Sequence, residues 1–507
     1  MSKRKASSEA DRVIDTNLSF DDISVLINNR QSSQLKAAFE NESLDWVDIN
    51  LKSDDSLLMK ASRTGDEDNV AILLEYGADI SFESHYSGHT ALSLACLHGH
   101  ESIVKLLLKH RADPNTPQGY LPLIEASKIG SIAIVELLLG HGAKVDTMPY
   151  FSMDETDDYY DTGDNESQYR SGPNALMIAC SKGYTDLAHV LLRSGANVGE
   201  ILESSIDETQ GFTALTFACQ GYHWELVKQL IGQGADVNEK LCDYGLTPLM
   251  YACTEGNLDA VKMLLNLGAD INQAEHGDDD SLAPTPLSAA CLHGHIEVAK
   301  YILDHQDFTA ALGVPQKAFI EACEHGDAEL IALLRPRLGD LNDFITPQSR
   351  VSRFVTEERT LLTVACGSKR VKATQKLLEL GATVSVNNDR GFMALASIWM
   401  GGPSAEALIA LLVEHGADVN SVDNYGYTPL MRAANSYLPK TFDGFKALLD
   451  YGADVRAKTN QGRTVLDMLL EPDSHNNISR RNELIALCKQ YEESNRRDRP
   501  LDDMLLK

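Results

Sequence analysis

Apolar positions recur with a helical period through "SGHTALSLACLHGHESIVKLLLKHRADPN" (Ser87 to Asn115). Leu92, Leu94, Ala95 and Cys96 form one apolar face behind Thr90, whose hydroxyl suits it to cap a helix start. Gly99 breaks the run with a residue free to turn left-handed. Ile103, Val104, Leu106 and Leu107 then mark a second helix, which "RADPN" ends with turn-forming residues. One pair of short helices cannot bury both its faces, so the pattern predicts units that stack.

The pattern returns along the chain. "GADVN" at Gly234 is followed by "GADIN" at Gly268, 34 residues on, and "GATVS" at Gly381 by "GADVN" at Gly416 and "GADVR" at Gly452, at steps of 35 and 36. Openings such as "GFTALTFAC" (Gly211), "GLTPLMYAC" (Gly245), "APTPLSAAC" (Ala283) and "GYTPLMRAA" (Gly426) complete the repeat. Each unit reads as turn, short helix, sharp break, second helix and extended finger. About eleven units are recognisable between Ser56 and Ala457.

With its "T-A/P-L-x-x-A" openings, its "LLxxGADVN" closings and a period near about 33 residues, the chain resembles the ankyrin repeat family. Its alternating "ALxxAC" and "PLMxA" units are similar to the arrays of large multi-ankyrin scaffold proteins. The resemblance implies an all-α solenoid of helix-turn-helix units with hairpin fingers, presenting a concave wall to protein partners. Some positions depart from the family. Ser93, Thr216, Met250, Ser288 and Met431 stand where its "TPLH" motif has His, so its Thr–His bond network is missing, and Tyr222 sits where the turn Gly belongs.

This reading divides the chain into a disordered tail (1–16), an N-terminal cap (17–53), repeats (54–146), an inserted loop (147–171) and further repeats (172–334). The unit at 314–342 is degenerate and 335–359 is an irregular insertion. Repeats resume over 360–457, followed by a C-terminal cap (458–491) and a polar tail (492–507). At 507 residues and 43% hydrophobic, the chain exceeds one compact domain, as an array requires. No apolar signal region follows "MSKRKASSEADR", and runs such as Ala407 to Val413 are too short to span a bilayer. A soluble cytoplasmic protein is expected, with the short "KRK" at Lys3 allowing nuclear entry as well.

Two stretches pose the question of metal chemistry: "LSLACLHGH" (Leu92 to His100) and "LSAACLHGH" (Leu287 to His295). Seven of nine cysteines follow Ala in "AC", which marks one recurring core slot filled by a small polarizable thiol. His98 and His293 fall on the turn, and His100 and His295 open the second helix. The clusters lie five units apart, about 40–50 Å at ordinary helix spacing, and neither has a second ligand pair nearby. The structural reading is therefore adopted, with no metal and no cofactor. No GxxxxGK[ST], GxGxxG or GxSxG motif occurs, and no enzyme is expected.

Charge then shifts attention to partners: 74 acids against 45 bases leave a formal charge of −29, which repels nucleic acid and favours basic protein surfaces. The 25-residue insertion from Thr147 to Ser171 concentrates this charge in Asp154, Glu155, Asp157, Asp158 and Asp161, with Tyr159 and Tyr160 among them. Acids and aromatics together can hold a basic segment by ion pairing and cation–π contact. Asp278, Asp279 and Asp280 form a smaller acidic finger. His85, Tyr86, Tyr120, Tyr244, Tyr425 and Tyr427 fall at finger tips, where aromatics serve as anchors. The family resemblance further implies Asn238, Asn272 and Asn420 as candidates for asparagine hydroxylation, the alternative being that they stabilise their turns. A protein-interaction scaffold is thus expected; the alternative is an adaptor recruiting substrates to a modifying enzyme such as a ubiquitin ligase.

Overall fold

The computed structural model describes residues 20–40, 49–50, 55–84, 88–116, 120–152, 169–202, 211–241, 245–273, 285–309, 314–343, 360–384, 394–398, 404–434, 442–470 and 478–497. The chain divides into two compact units, Met1–Pro248 and Leu249–Lys507.

The first unit opens with helices Phe20–Asn28 and Ser32–Glu40. Five helix pairs follow. Their first helices are Leu57–Thr64, Ala91–Leu97, Pro122–Ile129, Ala175–Lys182 and Ala214–Gln220. The second helices are Glu67–Glu75, Glu101–Lys109, Ile132–Gly140, Thr185–Arg193 and Trp224–Gly232. In the second unit the same alternation runs from Leu258–Asn266 through Pro286–Leu292 and Ile296–Asp304 to Pro429–Ala434 and Phe442–Asp450. It closes with Val465–Leu470 and Ile478–Arg497. The degenerate eighth repeat still forms a pair, Val314–His325 and Ala328–Leu334, and a short 3-10 turn at Arg335–Arg337 leads into its finger.

Hydroxyls begin several of the first helices, while Asn174 caps Ala175–Lys182 and Pro122–Ile129 starts behind Leu121 without a side-chain cap. Thr90 Oγ1 accepts from the Ser93 amide at 3.1 Å, while Ser93 Oγ accepts from the Thr90 amide at 2.9 Å. Thr213 with Thr216 and Thr285 with Ser288 repeat this reciprocal cap. Two donors that a helix start leaves unpaired are thereby satisfied at each site. At Ser93, Thr216 and Ser288 the residue that displaces the family's His thus supplies a local substitute for its network, which Met250 and Met431 have no hydroxyl to do.

The helix faces bury most of what the periodicity marked: Leu92, Leu94, Ala95, Cys96, Ile103, Val104 and Leu107 are inside, whereas Leu106 is only half-buried and Leu108 takes the inner place on its turn. Each buried Leu or Ile contributes about 1.5–3 kcal/mol relative to exposure, so the helix pairs are held chiefly by their shared core. All eight described cysteines are buried and unpaired with one another. Burial pushes the Cys180, Cys291 and Cys366 thiols up to about 12, and those of Cys96 and Cys253 higher still. They are neutral core atoms, not nucleophiles.

Fingers close with single antiparallel bridges, Glu83 to Thr90, Leu202 to Phe212 and Leu241 to Leu246. The long insertion leaves and rejoins the first unit as a ribbon: β1 (Tyr150–Ser152) pairs antiparallel with β2 (Tyr169–Ser171), Tyr150 opposite Ser171. Among the described residues, no helix is long and apolar enough to cross a membrane.

Candidate protein-interaction surface

Asparagines tie several fingers to the next. Asn115 donates Nδ2 to the Gly142 carbonyl at 2.8 Å and accepts the Lys144 amide on Oδ1 at 2.8 Å. Asn50 makes the same pair of bonds to Gly77 and Asp79. In the second unit Asn272 reaches Asp307 and Thr309, and Asn420 reaches Gly452 and Asp454. Asn342, in the finger of the degenerate repeat, accepts the Thr383 amide at 2.8 Å. Within a finger, the Asp two residues earlier accepts the Asn backbone amide, as Asp113 does for Asn115 at 2.9 Å and Asp236 for Asn238 at 2.9 Å. These bonds hold neighbouring fingers in a fixed register, which lowers the entropy a partner must remove to bind them.

The histidines of the two Cys-His stretches have a similar role at the opposite turn. His100 Nε2 lies 3.1 Å from the Arg63 carbonyl, and His295 Nε2 lies 2.9 Å from that of Thr254. Each ring thereby satisfies a carbonyl near the end of the preceding repeat's first helix. His98 Nδ1 contacts its own helix at the Leu94 carbonyl, 2.9 Å away. Cys96 is buried while both histidines meet backbone oxygens, and among the described residues no group of His, Cys, Asp and Glu is arranged to hold a metal.

Of the expected finger-tip anchors, Tyr120, Tyr425 and Tyr427 lie within the described residues. Tyr120 stacks on His89 with ring centroids 3.8 Å apart and 12° between planes. Lys128 Nζ stands 5.5 Å from the Tyr120 centroid and pairs with Glu125 at 2.8 Å. The equivalent Tyr427 carries the Arg432 guanidinium 4.6 Å over its ring. Arg432 is bound by Asp423, whose other oxygen accepts the Tyr425 and Tyr427 amides at 2.9 and 2.8 Å. This carboxylate folds the finger around itself. Tyr425 and Val422 remain 55% and 53% exposed on a tip that is already ordered.

His85, Tyr86, Tyr244, Asp154, Glu155, Asp157, Asp158, Tyr159, Tyr160, Asp161, Asp278, Asp279 and Asp280 lie outside the described residues. Asn272 and Asn420 carry the finger bonds above. Asp423, Arg432, Glu125, Lys128 and His89 were not singled out from sequence. The Glu125–Lys128 spacing of three was a visible helix signal, whereas Asp423 and Arg432 are nine residues apart with a turn between them.

The family profile "Ankyrin repeats (3 copies)" matches residues 58–149, 176–275 and 362–459, and "Ankyrin repeats (many copies)" matches 250–303. The chain is similar to "Ankyrin repeat and KH domain-containing protein mask-1" of Caenorhabditis elegans, at 30% identity over 71% of this chain and 13% of that protein. It is also similar to "Probable E3 ubiquitin-protein ligase XBOS33" of Oryza sativa subsp. japonica, at 30% identity over 36% of this chain and 32% of that one. The chain therefore spans a minor part of these relatives. A crystal structure of the human ASB11 ankyrin repeat domain aligns at 21% identity and a TM-score of 0.35, covering 53% of this chain and 98% of that one.

Proposed function

We propose, from the premise that this chain belongs to the ankyrin repeat family, that it is a non-catalytic scaffold whose fingers and acidic insertion bind partner proteins. Ankyrin repeats mediate protein–protein interaction, and one observation carries the reading to particular residues. The finger tip at Tyr425 is locked from within by Asp423 yet leaves Tyr425 and Val422 open to solvent. Ordered, exposed aromatic side chains bind with little loss of freedom.

The acid-rich composition favours basic partners and disfavours phosphate backbones. The segment Asp154–Asp161, which falls in the chain between β1 and β2, is the proposed point of attraction. A second reading, an adaptor that delivers substrates to a ubiquitin ligase, draws support from the likeness to the rice protein named as a probable ligase. The place of action proposed is inside the cell, in cytoplasm and nucleus.

The test is crosslinking capture from cell extract with the whole chain, with a variant whose insertion acids are replaced by Asn and Gln, and with Tyr425→Ala. Partners lost from either variant, with unchanged circular dichroism, support the scaffold reading. Recovery of the same partners by all three chains counts against it. A ubiquitin ligase captured by all three favours the adaptor.

A further inference from the structure

In a chain dominated by acids, the first helices of the first unit have the opposite balance. Leu57–Thr64, Ala91–Leu97, Pro122–Ile129, Ala175–Lys182 and Ala214–Gln220 together carry Lys60, Arg63, Lys128 and Lys182 against the single acid Glu125. The ion pairs here are also lopsided. Lys128 is 42% exposed while its partner Glu125 is 2% exposed; Arg63, 2.6 Å from Asp55, is 41% exposed against 16%. Solvent meets the cations, and the carboxylates sit beneath them. Lys128 overhangs the flat His89–Tyr120 stack, and His89 feels the charges of Arg63 and Asp55 as well.

We propose that Arg63, Lys128 and the Tyr120–His89 stack form a docking site for a carboxylate-bearing segment of a partner protein, an Asp or Glu side chain flanked by an apolar one. The chemistry follows from the donors left over. A Lys ammonium has three N–H donors and a guanidinium five, and each acid occupies only part of its cation's capacity. Buried Glu125 and half-buried Asp55 fix the side chains in place, so an arriving carboxylate meets cations that are already ordered. The stacked rings offer a flat apolar surface beside them for the flanking side chain. His89 adds no repulsion or attraction at neutral pH, because burial holds its pKa down near 4. Lys182, exposed on the next first helix along, extends the positive row. The site rests on the reading of the chain as an interaction scaffold but is independent of the acidic insertion, which calls for a partner of the opposite charge.

The experiment uses the full chain and a fluorescein-labelled peptide of Glu, Phe and Ser, with a matched peptide carrying Gln for Glu and another carrying phosphoserine for Glu. Fluorescence anisotropy should show the Glu peptide binding at least about tenfold more tightly than the Gln peptide, with the gain fading as salt rises. The Arg63→Gln/Lys128→Gln double variant should weaken it about tenfold, and Lys128→Arg should retain binding. Because the double variant leaves Glu125 buried without its cation, a second readout is independent of folding: carbodiimide coupling of the bound Glu peptide to wild-type lysines, located by mass spectrometry. Coupling concentrated at Lys128 supports the site. Coupling spread equally over Lys105 and Lys109 on the second helix Glu101–Lys109, equal binding of the Gln peptide, or binding of the phosphoserine peptide alone would each overturn it.

Discussion

The His100 ring lies where a side chain on Gly65 would have to be: a Cβ built on that glycine would come 2.5 Å from His100 Cε1. Gly65 also has φ 76°, in the left-handed region. Gly142 shares that conformation, at φ 90°, but a Cβ there meets nothing within 4 Å. Gly142→Ala should therefore lose about 1 kcal/mol from backbone strain alone. Gly65→Ala should lose more, and adding His100→Ala should recover the excess. Chemical unfolding of the double-mutant cycle checks this; additivity of the two losses would show that the ring and the glycine are not coupled.

Tyr222 occupies a left-handed turn position at φ 56°, its ring 6.4 Å from Trp224 and 44% exposed. Replacing it by Ala or by Gly removes the ring equally, but only Ala keeps the strain. The Gly variant should be the more stable of the two by about 0.5–1 kcal/mol in thermal unfolding. Equal melting temperatures would show that the turn relaxes around Ala.

Asn420 joins its finger to the next through Gly452 at 3.1 Å and Asp454 at 2.7 Å. Asn420→Ala should cost about 1–2 kcal/mol and speed hydrogen exchange at the Asp454 amide, while core amides such as that of Leu448 change little. If Asn420 is a hydroxylation substrate, modification should be faster on a peptide or a finger-destabilised variant than on the folded chain, because the amide is engaged. A folded chain modified as fast as the peptide would contradict that order.

His89 is a base that folding makes harder to protonate, first through burial and then through the nearby Arg63 charge. Its folded pKa of about 4 lies below the usual 6.5, so its contribution to stability is complete above about 6.5 and is lost as pH falls through about 4. The stability difference between wild type and His89→Gln should be constant near neutral pH and move against wild type between those two values. Proton NMR titration of His89 with a midpoint near 6.5 would sink the expectation.

What sequence alone determined is the repeat: caps, apolar faces, turn glycines and fingers are local signals with a fixed period, and each unit states them again. The "AC" slot, the turn position of His98 and the left-handed place of Tyr222 were legible for the same reason. Which groups meet between units was not, since it depends on the register in which one helix pair seats on the next. That register sets His100 against Gly65, and Asn420 against Gly452, residues 35 and 32 apart in the chain. Packing also leaves Glu125 buried beneath an exposed Lys128. Periodicity dictates that a face is buried; only packing decides which charge remains in water, because burial excludes solvent from one member of a pair and leaves it at the other.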